Sequence, residues 1–325
     1  MDLSIIIVNW NSADYLRACL ASIYRFVRGI EFEVIVVDNA SNDHCEQMLR
    51  EGFPGVIFVQ SGANLGFARA NNLGFSHSTG EILLFLNPDT EVSDDSIVKM
   101  VQRLRATEGA AAAGARLLNT DGSLQTSCVQ SFPTITNQLL DFDFLRRKFP
   151  TSRLWGTRPL YRTDNTPAEV DALSGACFMM KRSIFERVGK FTETYFMYSD
   201  DLDLSYKIKK AGYCAIYLND CTVTHHGEKS SEKQQEDNFA ALWQRKSLAR
   251  FFRQTQGSFY AATYRVAMAC VAALRVGLVL CMVLIGRAQL EGKSPWVVIK
   301  KWMKIFQWAV GLESGASSSG SQVAF

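Results

Sequence analysis

Apolar positions in the first half of the chain alternate between two rhythms. Residues 3–8 (Leu-Ser-Ile-Ile-Ile-Val) and 33–38 (Glu-Val-Ile-Val-Val-Asp) are short β-branched runs, the composition of strands buried on both faces of a parallel sheet. Residues 56–60 and 81–86 repeat the theme. Between the first two runs Tyr15, Leu16, Cys19, Leu20, Ile23 and Phe26 recur at helical spacing, behind Ser12 as a capping residue. Further helices are predicted over 42–51, 66–76 and 93–106. This β-α-β-α order predicts an open, mostly parallel α/β sheet with flanking helices. Such sheets bind ligands beyond the carboxyl ends of their strands. The positions to weigh are therefore Asn9 to Asn11, Asp38 to Ser41 and Asn87 to Glu91.

The second half is less regular. Residues 131–170 mix Pro, Arg, Thr and aromatics without a period, which predicts a mobile or substrate-specific loop region. An apolar run at 172–180 is followed by a predicted helix from Asp200 to Ala211, closed by Gly212. Strands are predicted over 213–218 and 221–225, ending at His225-His226-Gly227. Residues 245–256 read as a basic helix, and 266–286 are apolar apart from Arg275. About 20 apolar residues suffice to span a bilayer. A central Arg raises the cost of spanning by roughly 2.5–3.5 kcal/mol; the plainer alternative is a helix packed on the rest of the protein. Ser294-Pro295 opens a last helix with Lys300, Lys301 and Lys304 on one face. Val298, Ile299, Trp302, Ile305 and Phe306 share the other face, with Trp296 and Trp308 near the boundaries, as in a helix lying in an anionic membrane interface. Residues 313–325 are Gly/Ser-rich and predicted to be disordered.

Charge sharpens this division. The 325 residues sum to +3, yet residues 1–244 hold 24 basic against 30 acidic side chains, a net of −6, and residues 245–325 hold 11 against 2, a net of +9. A hydrophobic fraction of 47% with 11% aromatics excludes a disordered chain. Eight cysteines without a C-x-x-C pair argue against a disulfide framework or a zinc knuckle and favour a reducing compartment. The N-terminus has no basic n-region or cleavage site, so no signal peptide is expected and the bulk should stay in the cytoplasm. Nucleic acid is a rival partner for the basic segment, but the continuous apolar surface beside its lysines argues against it.

The turn Asn9-Trp10-Asn11-Ser12 lacks the glycines that a dehydrogenase-type dinucleotide site requires, and no G-x-x-x-x-G-K-[ST] is present. Any nucleotide must be held by side chains. Asp38-Asn39-Ala40-Ser41 and Asn87-Pro88-Asp89-Thr90-Glu91 read, one at a time, as ordinary turns. Such oxygen-rich turns also suit Mg2+ or Mn2+. In Tyr198-Ser199-Asp200-Asp201-Leu202-Asp203 the carboxylates complement a helix dipole, yet there are more of them than a cap requires, and one can accept a proton from a hydroxyl. Two of the four histidines, His225 and His226, end an apolar strand, where an imidazole can complete a metal site.

In order, Ser-Ile-Ile-Ile-Val-Asn-Trp-Asn, Val-Val-Asp-Asn-Ala-Ser-Asn-Asp, Asn-Leu-Gly-Phe-Ala-Arg-Ala-Asn-Asn and Leu-Asn-Pro-Asp-Thr resemble family 2 glycosyltransferases. The later Ser-Gly-Ala-Cys-Phe-Met-Met-Lys-Arg, Phe-Met-Tyr-Ser-Asp-Asp-Leu-Asp-Leu, Ala-Gly-Tyr and His-His-Gly are similar to the branch containing bacterial rhamnosyltransferases and galactofuranosyltransferases. The resemblance covers roughly residues 1–255 and implies a GT-A fold, a Rossmann-like nucleotide-sugar-binding sheet with flanking helices; it leaves the C-terminal quarter largely unaddressed, where charge and apolar pattern predict a C-terminal helical membrane-associating segment. It implies a catalytic domain over 1–244 with a nucleotide-sugar half (about 1–120) and an acceptor half (about 121–244). A membrane-associated region over 245–312 and a tail over 313–325 complete the division.

Residue by residue, the resemblance assigns nucleotide-sugar binding to Asn9, Asn11, Asp38, Asn39, Asn64, Arg69 and Asn87. Metal binding falls to Asp89 and His225; Asn87-Pro88-Asp89 occupies the family's D-x-D, with its first anionic ligand replaced by Asn87. Asp201 matches the catalytic base with Asp200 beside it, and Ser174, Gly175, Tyr198 and His226 fall on the acceptor side. The expected reaction is inverting, assisted by a divalent cation (Mg2+ or Mn2+). It moves a sugar from a dTDP- or UDP-donor, foremost L-rhamnose from dTDP-rhamnose, onto a lipid-linked envelope glycan at the cytoplasmic face of the bacterial inner membrane. Retention by double displacement would need a nucleophile beneath the sugar, and no independent candidate is visible. A donor such as UDP-galactofuranose or another UDP-hexose is the alternative. Outside the class stand a sugar-phosphate nucleotidyltransferase, which would not need the Asp-Asp pair, and an inactive membrane-bound scaffold.

Overall fold

A computed structural model describes residues 1–227, 236–284 and 294–312. The apolar rhythm of the first half becomes β1 (Leu3–Asn9), α1 (Ala13–Phe26), β2 (Phe32–Asp38), α2 (Cys45–Gly52), β3 (Ile57–Gln60), α3 (Gly66–Ser76) and β4 (Ile82–Leu86). There follow β5 (Thr90–Glu91), α4 (Ser96–Ala106), β6 (Ala110–Leu118), β7 (Val129–Gln130), α5 (Ile135–Leu139) and α6 (Asp143–Lys148). Next come β8 (Ala168–Val170), β9 (Ala172–Leu173), β10 (Cys177–Lys181), α7 (Arg182–Arg187), α8 (Asp200–Lys210) and β11 (Cys214–His225), with β7 and β9 pairing in a separate two-stranded sheet.

A nine-stranded sheet runs β3-β2-β1-β4-β10-β6-β11-β5, with β8 also on β11. The first four strands are parallel. β10 enters antiparallel to both β4 and β6, and β6 pairs parallel with β11, so the sheet is mixed beyond β4. Ile5, Ile6, Ile7 and Val34 to Val37 are wholly buried, because helices cover both faces of the parallel half. Register puts Asn9 opposite Asp38, and β10 brings Cys177 opposite Leu86, so the turns after β1, β2 and β4 share one edge with the start of β10.

Three expectations need revision. β6 was not predicted; its alanines favour helix in isolation and carry no β-branched signal, but ladders to β10 and β11 on either side decide the matter. The two strands predicted over 213–225 are one, β11, with a register shift between Leu218 and Thr222, where the predicted strands part, and another between Cys214 and Ala215. Residues 131–170, expected to be a mobile or substrate-specific loop region, hold short elements around the buried Trp155 and Leu160. Trp155 Nε1 donates to the Phe149 carbonyl at 3.1 Å, and its own carbonyl accepts from Ser131 N at 2.9 Å.

Residues 133–141 group with the C-terminal residues in a second compact unit. In it α9 (Glu236–Thr255), α10 (Ser258–Leu284) and α11 (Pro295–Val310) pack on one another. The basic helix expected at 245 is the end of α9, and the apolar helix begins eight residues earlier than expected, at Ser258. Buried Tyr264, Met268, Ala272 and Val279 line the inner side of α10, while Phe259, Val266, Leu274, Leu278 and Leu284 stand exposed on the other. α10 is long and apolar enough to cross a membrane. Both of its arginines face inward: Arg275 lies 4.4 Å from the Trp302 ring centroid, and Arg265 donates to the Trp308 carbonyl at 2.8 Å. Trp302 and Ile305 of α11 pack inside this unit, leaving Trp296, Val297 and Met303 exposed beside Lys300 and Lys304. Residues 285–286 of the predicted apolar run and the tail predicted over 313–325 lie outside the described residues.

Candidate active site

Five of the predicted nucleotide-sugar residues meet in one hydrogen-bonded network at the ends of β1 and β2. The buried Asn9 side chain donates to Asp38 Oδ1 (3.0 Å), Ser41 Oγ (3.2 Å) and Asp43 Oδ2 (3.1 Å). Asp38 Oδ2 accepts from Ser41 N at 3.1 Å and Gln60 Nε2 at 2.9 Å. Asn39 donates to Asn64 Oδ1 (2.9 Å) and accepts from Leu65 N (2.8 Å), while Asn11 Oδ1 accepts from Asn42 N (2.8 Å). Ser12 holds the N-cap position of α1, but its hydroxyl donates to Asn9 Oδ1, and Asp43 accepts from the first-turn amide of Ala13 in its place. Arg69 stands apart from this network, with Nε 3.6 Å from Glu193 Oε2 on the exposed side of α3.

Ligand-type atoms of Asp38, Asp43 and Cys45 all lie within 4.8 Å of one another. Both carboxylates are already engaged by the donors above. Burial and the neighbouring Asp38 and Asp43 push the Cys45 thiol up to about 12, so it keeps its proton. The trio is a hydrogen-bonded turn, poorly suited to a cation.

The second cluster lies where β5 pairs with the end of β11, setting His225 opposite Thr90. His225 Nε2 is 3.4 Å from Asp89 Oδ1 and 3.3 Å from Asn87 Nδ2. Two ligands at right angles on an octahedral cation, each about 2.1 Å away, stand about 3 Å apart, so Asp89 and His225 suit Mg2+ or Mn2+. Gln125, which nothing in the sequence singled out, grips His225 twice: Nε2 donates to its carbonyl at 2.7 Å and Oε1 faces Nδ1 at 2.9 Å. Gly227 leaves room for this ring, since a Cβ there would fall 2.7 Å from His225 Cε1. His226 bonds Glu91 Oε1 at 2.8 Å and Thr120 Oγ1 at 2.9 Å.

The third cluster opens α8. Tyr198 and Ser199 are consecutive non-glycine residues in left-handed conformation, φ +66° and +62°, a strained approach that surrounding structure must hold. Gly66 takes part in holding it: its φ of +75° and lack of a Cβ, which would fall 2.3 Å from the Phe196 carbonyl, let Phe67 N bond that carbonyl at 3.0 Å. Asp203 is structural, accepting from Thr192 Oγ1 (2.6 Å) and lying 3.2 Å from Lys207 Nζ.

Asp200 and Asp201 differ. Asp201 Oδ2 accepts from Gly175 N at 3.0 Å and Oδ1 from Leu202 N at 2.8 Å, bonds that favour its ionised form. Asp200 is 5% exposed and its Oδ2 has no hydrogen-bond partner among the described residues. Burial, reinforced by the Asp201 charge, pushes Asp200 up to about 8, and burial also raises Asp201 against the opposing amides. Of the pair, Asp200 keeps a proton and Asp201 ionises first. Of the predicted acceptor residues, Gly175 bonds Asp201, Ser174 precedes it and Tyr198 enters α8. Asn87 N donates to the Ala176 carbonyl at 3.0 Å, joining the Asn-Pro-Asp turn to the same stretch.

The family model described as Glycosyl transferase family 2 matches residues 4–189. The chain is 30% identical over 253 residues to an N-acetylglucosaminyl-diphospho-decaprenol L-rhamnosyltransferase of Mycobacterium tuberculosis, covering 74% of this chain and 80% of that one. It is 24% identical to the rhamnosyltransferase WbbL of Escherichia coli, over 76% and 91% of the two chains. Among solved structures, the mannosyltransferase PcManGT of Pyrobaculum calidifontis, in complex with GDP-Man and Mn2+, aligns with a TM-score of 0.56 at 20% identity, over 95% of this chain and 86% of that one. That likeness is one of fold.

Proposed function

The chain belongs to glycosyl transferase family 2 and has the GT-A fold, and from that premise we propose that this glycosyltransferase moves L-rhamnose, with inversion, from dTDP-rhamnose to a lipid-linked glycan. The observation that carries the mechanism is the unequal environment of two adjacent carboxylates. Asp201, whose ionised form the Gly175 and Leu202 amides favour, takes the acceptor hydroxyl's proton as the new bond forms at the anomeric carbon. The bond to the nucleotide diphosphate breaks on the opposite face, which inverts the centre. Asp200 stays protonated beside it and offers the acceptor a donor instead of a second negative charge. Asn9, Asn11, Asp38, Asn39 and Asn64 form the donor pocket, where polar side chains do what glycine-rich backbone does in dinucleotide folds. A divalent cation, Mg2+ or Mn2+, would be held by Asp89 and His225 with Asn87 beside them, and when bound supplies a Lewis acid that neutralises the leaving diphosphate.

Support for the sugar and acceptor comes from the relatives, two of which are named rhamnosyltransferases and one of which is named for a diphospho-decaprenol acceptor. In this reading residues 1–244 perform the transfer and 245–312 attach the enzyme to the cytoplasmic face of the inner membrane through the exposed apolar side of α10. Replacing Asp201 with Asn should lower transfer by about 10²–10⁴-fold while leaving dTDP binding unchanged. Near-normal turnover would remove Asp201 from the role. Thermal-shift measurements with dTDP-, UDP- and GDP-sugars, with and without Mn2+, test the donor and the cation together. Stabilisation by UDP-galactofuranose but not dTDP-rhamnose would move the assignment to that sugar.

A further inference from the structure

We infer that Gln125 is a positioning residue that determines which nitrogen of His225 is presented to the cation, an inference resting on the metal reading above. The geometry is self-consistent in only one way. The His225 carbonyl can only accept, so the Gln125 atom 2.7 Å away must be its NH2. Its oxygen is therefore the atom facing Nδ1 at 2.9 Å, and an oxygen there calls for a proton on Nδ1. In the neutral ring Nε2 is then the unprotonated nitrogen, beside Asp89 Oδ1 and Asn87, with its lone pair available to a cation. The amide reads the backbone of the same residue whose ring it orients, so ring and strand are locked together.

Gln125→Met removes both bonds at similar length, and Gln125→Glu keeps an acceptor toward Nδ1. Long-range 1H–15N NMR on full-length protein, with His225 assigned by loss of its signals in His225→Asn, reads the tautomer directly. Mn2+ titration in the presence of dTDP, followed by electron paramagnetic resonance, reads the affinity. The wild type should carry its proton on Nδ1; Gln125→Met should mix tautomers and weaken Mn2+ binding on the order of 10- to 100-fold. Gln125→Glu should retain the tautomer and much of the affinity. A wild-type proton on Nε2, or Mn2+ affinity within two-fold in Gln125→Met, overturns the inference alone. A wild type that binds no Mn2+ overturns the cation reading with it.

A different observation carries a second inference: we propose that residues 142–162 dock on an anionic bilayer. Phe144 is 67% and Phe149 52% exposed, and Phe142, Leu154 and Tyr161 are also exposed. The buried Trp155 and Leu160 and the Thr157 Oγ1 bond to the Pro150 carbonyl (2.6 Å) pin the stretch from beneath, so the aromatics are presented by a fixed base. Six basic residues and one acidic residue lie in these 21 positions, one of the six, Arg162, paired with Asp164 at 2.8 Å, within a region (1–244) whose net charge is −6. Lys148 Nζ sits 5.7 Å from both the Phe144 and Phe149 rings, cation and aromatic ring in one patch. Exposed aromatics with Lys and Arg among them match the headgroup region of an anionic membrane.

This proposal rests on the membrane reading but on a surface other than α10. Co-sedimentation of the full chain with phosphatidylcholine vesicles, with and without phosphatidylglycerol, tests it without acceptor. The variant Phe144→Ser/Phe149→Ser/Arg147→Gln/Lys148→Gln should lose about ten-fold in partitioning to anionic vesicles and little to neutral ones, with its circular dichroism unchanged. Equal partitioning of variant and wild type sinks the patch alone. A wild type that binds neither vesicle sinks the membrane reading as well.

Discussion

Asp200 and Asp201 open one helix but sit in different electrostatic surroundings, and that difference can be measured. An Asn at 200 has the shape and charge of the protonated acid, so Asp200→Asn should keep activity within about ten-fold, far above Asp201→Asn. The pair also sets a pH signature. A carboxyl whose folded pKa lies above its unfolded value holds its proton preferentially in the folded state. Its contribution is fully present at low pH and is lost as pH rises from the usual carboxylate range through about 8. Denaturant midpoints of wild type and Asp200→Asn should therefore be close at pH 5 and separate towards pH 9, the wild type losing the more; parallel curves would show that Asp200 is ionised throughout. Asp38, Asp89 and Asp201 were legible in the sequence because carboxylates stand in order just beyond predicted strands or at a helix start. Gln125 and Asp43 were not. Gln125 acts on a residue 100 positions away, and Asp43 caps a helix that begins 30 positions before it, so no local pattern marks either one.

Elements transmit these placements. The loop from Thr192 to Ser199 carries the two strained residues before Asp200, and Gly66 at the start of α3 is where the donor-side turn touches it. Gly66→Ala adds both φ strain and a collision with the Phe196 carbonyl, so a loss of more than about 1 kcal/mol is expected, together with reduced kcat. Gly122 provides the control: its φ is +80° with nothing within 4 Å of an added Cβ, so Gly122→Ala should cost strain alone and spare kcat. Equal kcat in the two variants would mean that the Gly66 contact does not reach the carboxylate pair. The parallel half of the sheet could be read from its β-branched runs, since strand, helix and next strand are neighbours in sequence and space. The mixed half could not. β6 is made of residues that lack strand preference, and β10 takes its place between β4 and β6 through partners some 65 to 100 positions earlier.

At the scale of the molecule, the division of charge into −6 and +9 becomes a question of how the C-terminal helices meet a bilayer. The cost assigned to Arg275 assumed a guanidinium facing hydrocarbon, but it lies on the Trp302 ring, and the exposed side of α10 carries no charge among its described residues. Spanning would still draw in the helices packed against it, with exposed Arg250 and Arg253 on α9 and Lys300 and Lys304 on α11. Charges at the bilayer centre are expensive. Under the membrane attachment proposed above, α10 would lie along the interface, its apolar side among the acyl chains and the lysines of α11 at headgroup level. Two native cysteines report on this without mutation. Cys270 and Cys281 are exposed on the outer side of α10, whereas five of the other six are buried and Cys214 is partly so. Membrane-impermeant maleimide should label both rapidly in detergent-free solution, and phosphatidylglycerol vesicles should slow that labelling at least ten-fold. High salt should not restore it, because the protecting contact is apolar while the lysines add only a screened attraction. Unchanged labelling on vesicles would place the apolar side of α10 against something other than lipid.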